Sequence, residues 1–362
     1  MKILFYIDAL GGGGAERVIA NLANGMSLKG QDIVLVTSFP LVSEYKILPG
    51  IKRYNLEKSC PVKRELVRKN IRRIKRLRTI CKNEACNIAV SFMEGPSFRL
   101  IFSTLWLKTN TVISLRSDPT KCYSNVIHKW IAELIYARAK ACVFQTEEAK
   151  NFFSQKIQMR STIIFNPVAD EFYKTEYKNE KKYIVSAGRL IKSKNFEMLI
   201  SAFAAIAGQY PKEKLIIYGE GDNRSRLERL IAKSGLSDRI RLSGRTDDMA
   251  QKLQDAKIFV LPSLYEGMPN VLMEAMALGI PSIATDCPCG GPKLLLGNGN
   301  AGILVQNGNE QQMADAISAL IEDQELRQRY SEKAVQRAKD FKCNKICEEW
   351  LELFLNILGK VD

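Results

Sequence analysis

Glu274 is a carboxylate in a place where an ionised group is costly. It lies in "PNVLMEAMALG" (269–279), and no side of this segment resembles a solvated helix face. Pro269 suits the first turn of a helix and Gly279 suits its end, which predicts a short buried helix from about 269 to 278. A buried carboxylate requires a polar partner, and no Lys or Arg occurs between 258 and 292. We therefore expect Glu274 to meet a group from elsewhere in the fold or from a ligand.

Arg189 and Lys194 are two cations whose spacing suits a diphosphate. Both lie in "GRLIKSKN" (188–195), which follows a predicted strand and opens a predicted helix. Cations beside a helix N-terminus, where free backbone N–H groups also attract anions, form a phosphate site. The segment is not a Walker P-loop, because G-x-x-x-x-G-K-[ST] occurs nowhere in the chain. Either cation alone is more often a solvated surface residue, so it is the pair that favours a function.

The glycine-rich segment "GGGGAER" (11–17) is a second candidate for anion binding. It follows the first predicted strand, and its glycines let the backbone approach a ligand. Glu16 and Arg17 occupy the third glycine positions of a dinucleotide fingerprint, and no acidic residue ends the second strand, which disfavours an NAD enzyme. The alternative for this segment is a flexible tight turn.

The elements that must position these residues alternate along the whole chain. Short β-branched runs such as "KILFYID", "DIVLVTSF" and "YIVSAGR" are separated by helical patterns, which predicts parallel sheets covered by helices on both faces. We expect an α/β protein made of two tandem Rossmann-like, doubly wound domains. The expected limits are 1–170 for the first domain, 171–182 for a polar linker, 183–340 for the second domain and 341–362 for a C-terminal helix that could return to the first domain.

Composition narrows the classes of function. The 362 residues carry a net charge of +15, which requires a polyanionic partner such as nucleic acid, anionic lipid or a diphosphate substrate. His128 is the only histidine, which disfavours catalytic triads and multi-histidine metal sites. The nine cysteines contain no C-x-x-C pair, so we expect buried free thiols in a reducing compartment. The N-terminus lacks a signal-peptide core and no stretch is apolar enough to span a membrane, so we expect a cytoplasmic protein.

Several motifs, taken together in order and spacing, resemble one family. The chain is similar to retaining glycosyltransferases of family 4, of the bacterial surface-polysaccharide type, with the GT-B fold of two Rossmann-like domains that face a central cleft. The motifs are "GGAERV", "GRLIKSKN", "YGEGDNRSRLERLI", "LSGRTDD" and "LPSLYEGMPNVLMEAMALGIPSIATD". The resemblance implies that the first domain binds the acceptor and the second binds a nucleotide sugar.

The resemblance also implies roles for individual residues. Glu266 would contact the transferred sugar, Glu274 would accept hydrogen bonds from the ribose hydroxyls, and Arg189 with Lys194 would hold the diphosphate. Further donor-binding residues expected from the same motifs are Gly13, Gly14, Gly219, Glu220, Arg245, Gly267, Met268, Pro269, Asn270 and Val271.

No cofactor or metal is expected. The other common glycosyltransferase architecture uses an Asp-x-Asp metal site, and no two aspartates in this chain stand two apart. Fixed cations and helix dipoles would instead stabilise the negative charge that builds on the leaving diphosphate. The resemblance implies retention of configuration at the transferred sugar.

Arg116 marks a departure from the family. Many relatives carry a histidine after the strand that corresponds to "NTVISL", whereas this chain has "LRSDP" (115–119). Leu115 stands where related sequences often have Glu. We include Arg116 among the catalytic residues, in contact with donor or acceptor, but a guanidinium cannot act as a proton shuttle.

The segment 62–82 predicts a basic amphipathic helix. Ten Lys or Arg surround an apolar stripe formed by Leu66, Val67, Ile71, Ile74, Leu77 and Cys81. A helix face that carries only positive charges is unusual, because like charges at i and i+4 repel each other. We therefore expect an anionic partner for this face. By resemblance this helix faces a lipid-linked diphosphate acceptor at the inner face of the cell membrane. The residues assigned to acceptor and membrane are Arg68, Arg72, Arg73 and Arg76.

The sequence thus predicts a metal-independent enzyme that moves a hexose or N-acetylhexosamine from a UDP-sugar to an undecaprenyl diphosphate-linked saccharide, in capsule, exopolysaccharide or other surface-glycan synthesis. One alternative keeps the fold and changes the acceptor to a soluble sugar, for which the basic helix would be superfluous. A nucleic-acid-binding protein is disfavoured, because 62–82 contains no aromatic residue among its cations.

Overall fold

The computed structural model describes residues 1–59, 66–173, 182–246 and 248–359. The chain divides into two compact units: the first unit is Met1–Pro167 with Cys343–Asp362, and the second unit is Val168–Lys342. Most of the expected linker, residues 174–181, lies outside the described residues, as do residues 62–65 of the predicted basic helix. Charge is unevenly divided: the sequence of the first unit holds 29 Lys and Arg against 16 Asp and Glu, and that of the second unit holds 25 against 23.

A parallel sheet forms the centre of the first unit. Its strands are β1 (Lys2–Ile7), β2 (Asp32–Thr37), β3 (Lys52–Asn55), β4 (Ile88–Phe92), β5 (Asn110–Ser114), β6 (Ala141–Phe144) and β7 (Ser161–Ile163), in the spatial order β3-β2-β1-β4-β5-β6-β7. The central strands are buried on both faces and consist of nearly continuous apolar residues. The order reverses between β1 and β4, and ligands bind beyond the carboxyl ends of the strands at such a point.

Helices cover both faces of this first sheet. They are α1 (Gly14–Leu28), α2 (Leu66–Glu84), α3 (Glu94–Thr104), α4 (Pro119–Cys122), α5 (Val126–Tyr136), α6 (Glu147–Asn151), α7 (Gln155–Gln158) and, from the other end of the chain, α15 (Cys343–Ile357). Successive side chains of β1 point to opposite faces of the sheet. Phe5 packs with Trp350 of α15 on one face, whereas Leu4 packs with Leu77 of α2 and Leu100 of α3 on the other. The helix expected at 341–362 therefore completes the core of the first unit.

The second unit repeats the architecture with six strands. They are β8 (Tyr183–Ala187), β9 (Lys214–Tyr218), β10 (Ile240–Gly244), β11 (Ala256–Leu261), β12 (Ser282–Asp286) and β13 (Ile303–Gln306), in the order β10-β9-β8-β11-β12-β13, with all pairs parallel. Its helices are α8 (Phe196–Ile206), α9 (Arg224–Lys233), α10 (Met249–Leu253), α11 (Asn270–Ala277), α12 (Gly291–Leu295), α13 (Glu310–Glu322) and α14 (Gln324–Ala338). The order reverses between β8 and β11, so the loops after these two strands meet at the switch point.

The α/β architecture of two doubly wound units is the one predicted from the sequence. The pattern does not predict β3 or β7, because β3 reads "KRYN" and β7 has three residues. Both are edge strands, which do not need the apolar runs of central strands. Among the described residues, no helix combines the length and hydropathy that crossing a bilayer requires.

Candidate active site

Glu274 lies on α11, directly after the loop that follows β11. The residue is only 3% exposed, so the predicted burial of this carboxylate is confirmed. The helix begins at Asn270, one residue later than expected, because Pro269 has extended backbone angles and acts as the N-cap. Gly279, with φ of 70°, follows the helix and allows the chain to turn into β12. The sequence therefore places a buried carboxylate on the helix that begins at the carboxyl end of β11.

Lys194 and Glu266 form an ion pair at the same edge. Lys194 lies in a short 3₁₀ turn after β8, and its Nζ donates to Oε1 of Glu266 in the loop after β11. Ser263 Oγ donates to the same oxygen at 2.7 Å. The two loops are joined by a backbone hydrogen bond of 2.9 Å from Leu264 N to Ser193 O. Lys194 and Glu266 are 72 residues apart in sequence. They meet at the switch point because the strands that precede them, β8 and β11, are adjacent in the sheet.

Arg189 differs from Lys194 in having no partner within the described chain. Its side chain is exposed, and it forms no hydrogen bond or ion pair with any described residue. The structure thus separates the two cations that the sequence grouped: one is tied to a carboxylate and the other is open to solvent. An ammonium group has three N–H donors, so Lys194 can hold Glu266 and still bind an anion.

The loop after β9 approaches the loop after β8 closely. A Cβ at Gly219, whose φ is 145°, would lie 1.8 Å from Gly188 O, so only glycine fits here. The neighbouring Glu220 is exposed and accepts a hydrogen bond of 2.7 Å from Arg224. Arg245 follows β10, the next strand, and is also exposed. These three predicted donor-binding residues therefore share the ligand-binding edge of the second sheet.

Backbone packing also shapes the loop from Gly267 to Pro269. A Cβ at Gly291 would lie 1.5 Å from Gly267 O, so the start of α12 rests directly on this loop. Met268 and Pro269 are buried, whereas Asn270 and Val271 are half-buried. The loop lies at the N-terminus of α11, and the N-terminus of a helix favours anions.

Three polar residues in this region were not predicted. Ser263 supports Glu266, and Asn307 Nδ2 donates to Leu264 O at 2.8 Å, which fixes the loop from the side of β13. Cys287 is buried, and burial raises the pKa of its thiol to about 12; the nearby Glu266 adds to the increase. Only Ser263, three residues before Glu266, stands close enough in sequence to have been predicted.

Gly13 and Gly14 belong to the first unit, whereas the other predicted donor-binding residues belong to the second unit. Gly13 is the N-cap of α1, and Tyr45 donates to its carbonyl oxygen at 3.3 Å. A Cβ at Gly13 would lie 2.0 Å from Oε2 of Glu16, so this carboxylate folds back over the helix N-terminus. An anion bound here would have to displace Glu16.

Arg116 is a half-buried cation without a carboxylate partner among the described residues. Its Nη1 donates to Asn166 Oδ1 at 2.6 Å, whereas Nε and Nη2 are buried without a hydrogen-bond partner. The guanidinium lies over the ring of Phe92, with 4.3 Å to the centroid, and 5.7 Å from the ring centroid of Trp350. Burial lowers the pKa of Arg116 to about 9. An anionic ligand at the carboxyl end of β5 would supply the missing partner.

The four arginines assigned to acceptor and membrane do not share one environment. Arg68 is exposed, and Arg72 lies mostly in solvent with a 3.3 Å contact to Glu57. Arg76 is exposed and donates to the carbonyl oxygen of Leu56.

Arg73 does not lie on the exposed face of α2, contrary to its assignment from the sequence. It is 6% exposed and donates to Glu57 Oε2 at 2.8 Å. Burial raises the pKa of Glu57, but hydrogen bonds from Arg73 and Arg72 outweigh it and lower the pKa overall. The predicted apolar stripe is rotated accordingly, because Ile71 is 51% exposed. Arg73 is therefore part of the core and is not available to a membrane surface.

The edge of the second sheet suits a nucleoside diphosphate. It combines an open guanidinium, an ammonium held by Glu266, a helix N-terminus and the buried carboxylate of Glu274. Cations and N–H groups bind phosphate oxygens, and carboxylates accept hydrogen bonds from sugar hydroxyls. Within the described residues, no three His, Cys, Asp or Glu side chains converge as metal ligands do.

Comparison with known proteins identifies the family. The family of glycosyl transferases group 1 matches residues 168–337, which is almost the whole second unit. An uncharacterised glycosyltransferase of Methanocaldococcus jannaschii is 30% identical over 288 residues, covering 67% of this chain and 71% of that protein.

Similarity also extends over the complete chain. The N-acetylgalactosamine-N,N'-diacetylbacillosaminyl-diphospho-undecaprenol 4-alpha-N-acetylgalactosaminyltransferase of Campylobacter jejuni is 27% identical over 369 residues, covering 98% of this chain and 99% of that protein. The structure of HepE from Anabaena in complex with UDP and glucose matches with a TM-score of 0.80 at 18% identity, covering 100% of both chains. The chain therefore has the GT-B fold and belongs to the family of glycosyl transferases group 1.

Proposed function

We propose that this glycosyltransferase moves a hexose or N-acetylhexosamine from a UDP-sugar to a saccharide carried on undecaprenyl diphosphate. The observation that carries the proposal is the Lys194–Glu266 ion pair at the edge of the second sheet, where Arg189 follows β8 and the helix of the buried Glu274 begins after β11. The Campylobacter relative, matched over nearly its full length, acts on a diphospho-undecaprenol saccharide, which supports the acceptor class.

The donor diphosphate is bound by Arg189 and Lys194 in this proposal. When the glycosyl bond to UDP breaks, negative charge builds on the leaving diphosphate, so a fixed ammonium and guanidinium stabilise the transition state more than the ground state. Glu266 fixes the position of Lys194 and accepts hydrogen bonds from the hydroxyls of the transferred sugar. No divalent metal takes part, because these cations neutralise the leaving group and the sequence has no Asp-x-Asp motif.

Glu274 binds the ribose of UDP. Glu274 is buried on the helix that follows β11, and a carboxylate can accept hydrogen bonds from both ribose hydroxyls. The sugar is transferred with retention of configuration, as in the family 4 enzymes that the sequence resembles, and no protein nucleophile is assigned.

The acceptor is bound by the first unit. The sequence of this unit has 29 Lys and Arg and 16 Asp and Glu, so it carries 13 of the 15 net positive charges of the chain. The exposed Arg68, Arg72 and Arg76 lie on α2 and provide sites for a lipid diphosphate. Arg116 contributes a further positive charge at the carboxyl end of β5. Such an enzyme binds peripherally at the inner face of the cell membrane and serves the synthesis of capsule, exopolysaccharide or another surface glycan.

A two-stage assay tests the proposal. Hydrolysis of a panel of nucleotide sugars, with and without excess EDTA, identifies the donor, because slow hydrolysis needs no acceptor. Transfer is then measured to an undecaprenyl diphosphate-linked saccharide and to the same saccharide free in solution. We expect donor hydrolysis to survive EDTA, transfer to require the lipid-linked form, and Lys194→Met to abolish both reactions. Lys192→Met, in the same turn and exposed, is the matched control and should remain active.

Each stage can fail separately. Loss of hydrolysis in EDTA with recovery on added Mn²⁺ or Mg²⁺ would refute the charge-stabilisation scheme. Equal transfer to the free saccharide would refute the lipid-linked acceptor and favour a soluble one.

A further inference from the structure

An apolar face of α5 is exposed to solvent. The outer face of α5 consists of Val126, Ile127, Trp130, Ile131 and Leu134, which follow one side of the helix at i, i+1, i+4, i+5 and i+8. Their exposed fractions are 84%, 69%, 62%, 37% and 43%. Single exposed apolar residues are common on protein surfaces, but five on one side of an 11-residue helix form a patch that needs a partner.

The opposite side of α5 is firmly anchored, so the outer face is a fixed feature of the fold. Ala132, Ile135 and Tyr136 are buried, and the ring of Tyr136 packs at 5.2 Å from that of Phe153. At the start of the helix, Asn125 Oδ1 accepts from His128 N at 2.8 Å, a side-chain N-cap. The helix is therefore held at its start and along its inner side while the apolar residues point outward.

The outer face lies on the same side of the first sheet as α2. Ring centroids of Phe98 on α3 and Tyr136 on α5 are 6.2 Å apart, which makes α3 and α5 neighbours. Helix α3 also packs against α2, where Ser103 Oγ donates to Ile74 O at 3.1 Å. The opposite side of the sheet is covered by α1 and α15. The three helices α2, α3 and α5 thus form one layer.

This layer concentrates exposed apolar side chains beside cations. Of the 15 large hydrophobic residues that are exposed in the described chain, eight lie on these three helices or the turn after α3. They are Ile71, Phe102, Trp106 and the five residues of the outer face of α5. The same layer carries the exposed Arg68, Arg72 and Arg76, and Lys121 is exposed just before α5.

We infer that the outer face of α5 inserts into the interfacial region of an anionic lipid bilayer. Apolar side chains that include Trp, placed next to Lys and Arg, are the composition of helices that lie in a membrane interface. Tryptophan prefers the headgroup level, and the cations attract anionic lipids. A second copy of the chain fits less well, because a stable protein interface takes about 20–30 residues from each side. The inference rests on the proposed lipid-linked acceptor and adds the surface by which the enzyme reaches it.

Binding to lipid should then have an apolar component that salt does not remove. Salt at about 1 M reduces the Debye length to roughly 3 Å and weakens contacts of exposed arginines with headgroups. Burial of apolar surface is not screened in this way. We therefore expect the protein to remain partly bound to vesicles of phosphatidylglycerol and phosphatidylcholine at high salt.

The test is a vesicle partition experiment with variants of the full chain. In the triple variant, Ile127→Gln, Trp130→Gln and Leu134→Gln are combined, and we expect binding at high salt to fall by at least about tenfold, because three large side chains lose their burial in lipid. The matched pair is Ile127→Gln on α5 and Leu28→Gln on α1, which replace residues that are 69% and 78% exposed. Leu28→Gln should bind within about twofold of the unmodified protein. A Trp106→Phe background retains the exposed Trp130 and the fully buried Trp350, and its tryptophan fluorescence should shift to shorter wavelength on vesicle binding as Trp130 enters the lipid.

The outcomes distinguish this inference from the proposed function. Unchanged vesicle binding by the triple variant, with normal transfer to the lipid-linked saccharide, would overturn the role of α5 and leave the proposed acceptor standing. A protein that hydrolyses its donor but neither binds vesicles nor uses the lipid-linked saccharide would overturn both. Conversion of a dimer to a monomer by the triple variant in sedimentation would assign the outer face to a second copy and refute the lipid assignment.

Discussion

Replacement of Arg116 by Met should make the ligand-free protein more stable and less active. The guanidinium is buried with Nε and Nη2 unsatisfied, and its pKa is lowered from 12.5 to about 9 by burial. That change corresponds to about 5 kcal/mol of lost solvation. Two contacts offset part of this cost. The cation–π contact with Phe92 stabilises the guanidinium by up to about 2 kcal/mol, and the charged hydrogen bond to Asn166 by about 1.5–3 kcal/mol.

The remaining penalty, roughly 0–1.5 kcal/mol, disappears in Arg116→Met. Methionine can fill the space beside Phe92 and Trp350, and Gln145 still donates to Asn166 at 2.8 Å, so no new unpaired group is created. In a unit of this size each kcal/mol raises the melting temperature by about 2–4 °C. Loss of one charged contact to substrate should at the same time lower kcat/KM for transfer by about 10–100-fold.

Differential scanning calorimetry of the ligand-free protein and steady-state transfer kinetics provide the two readouts. Arg160→Met, at an exposed arginine of the same unit, controls for the loss of one positive charge and should change neither readout strongly. A melting temperature that falls in Arg116→Met would show that the guanidinium stabilises the fold. Full activity in that variant would show that no substrate anion meets it, and either result would refute the reasoning.

Two further predictions concern buried charges. Glu274→Gln should weaken UDP binding by about 10–100-fold in calorimetry, because one acceptor of the ribose hydroxyls loses its charge, and an unchanged affinity would exclude the ribose role. Arg73→Met should lower the free energy of unfolding by about 3–5 kcal/mol, because it leaves the buried Glu57 without its 2.8 Å partner, whereas the exposed Arg68→Gln should change it by less than about 0.5 kcal/mol. If the two arginine variants melt at the same temperature, Arg73 does not carry the structural role assigned to it.

The sequence predicts those parts of the site that depend on local pattern. The burial of Glu274 follows from the apolar residues around it on one helix, and the order of strands and helices follows from periodicity. The partner of Lys194 could not be predicted, because Glu266 is 72 residues away and reaches it only through the adjacency of β8 and β11. Arg73 was assigned to the wrong environment for the same reason, since Glu57 comes from the segment after β3.

The exposure of α5 was also beyond the sequence pattern. An apolar segment such as "VIHKWIAELIY" predicts burial on periodicity alone. Only the packing of α3 and of Phe153 against one side of the helix shows which apolar residues remain outside.

The return of α15 to the first unit has a consequence for biosynthesis. The ribosome produces the whole of Val168–Lys342 before it produces the helix that carries Ile346, Trp350 and Phe354, all fully buried in the core of the first unit. During translation the second unit can fold as soon as it is complete, whereas one face of the first sheet remains covered by α1 alone until α15 is synthesised. Chaperone dependence and proteolytic sensitivity of the nascent chain should therefore concentrate in the first unit, although it is synthesised first. The ring of Trp350 beside Arg116 is among the last parts of the site to be put in place.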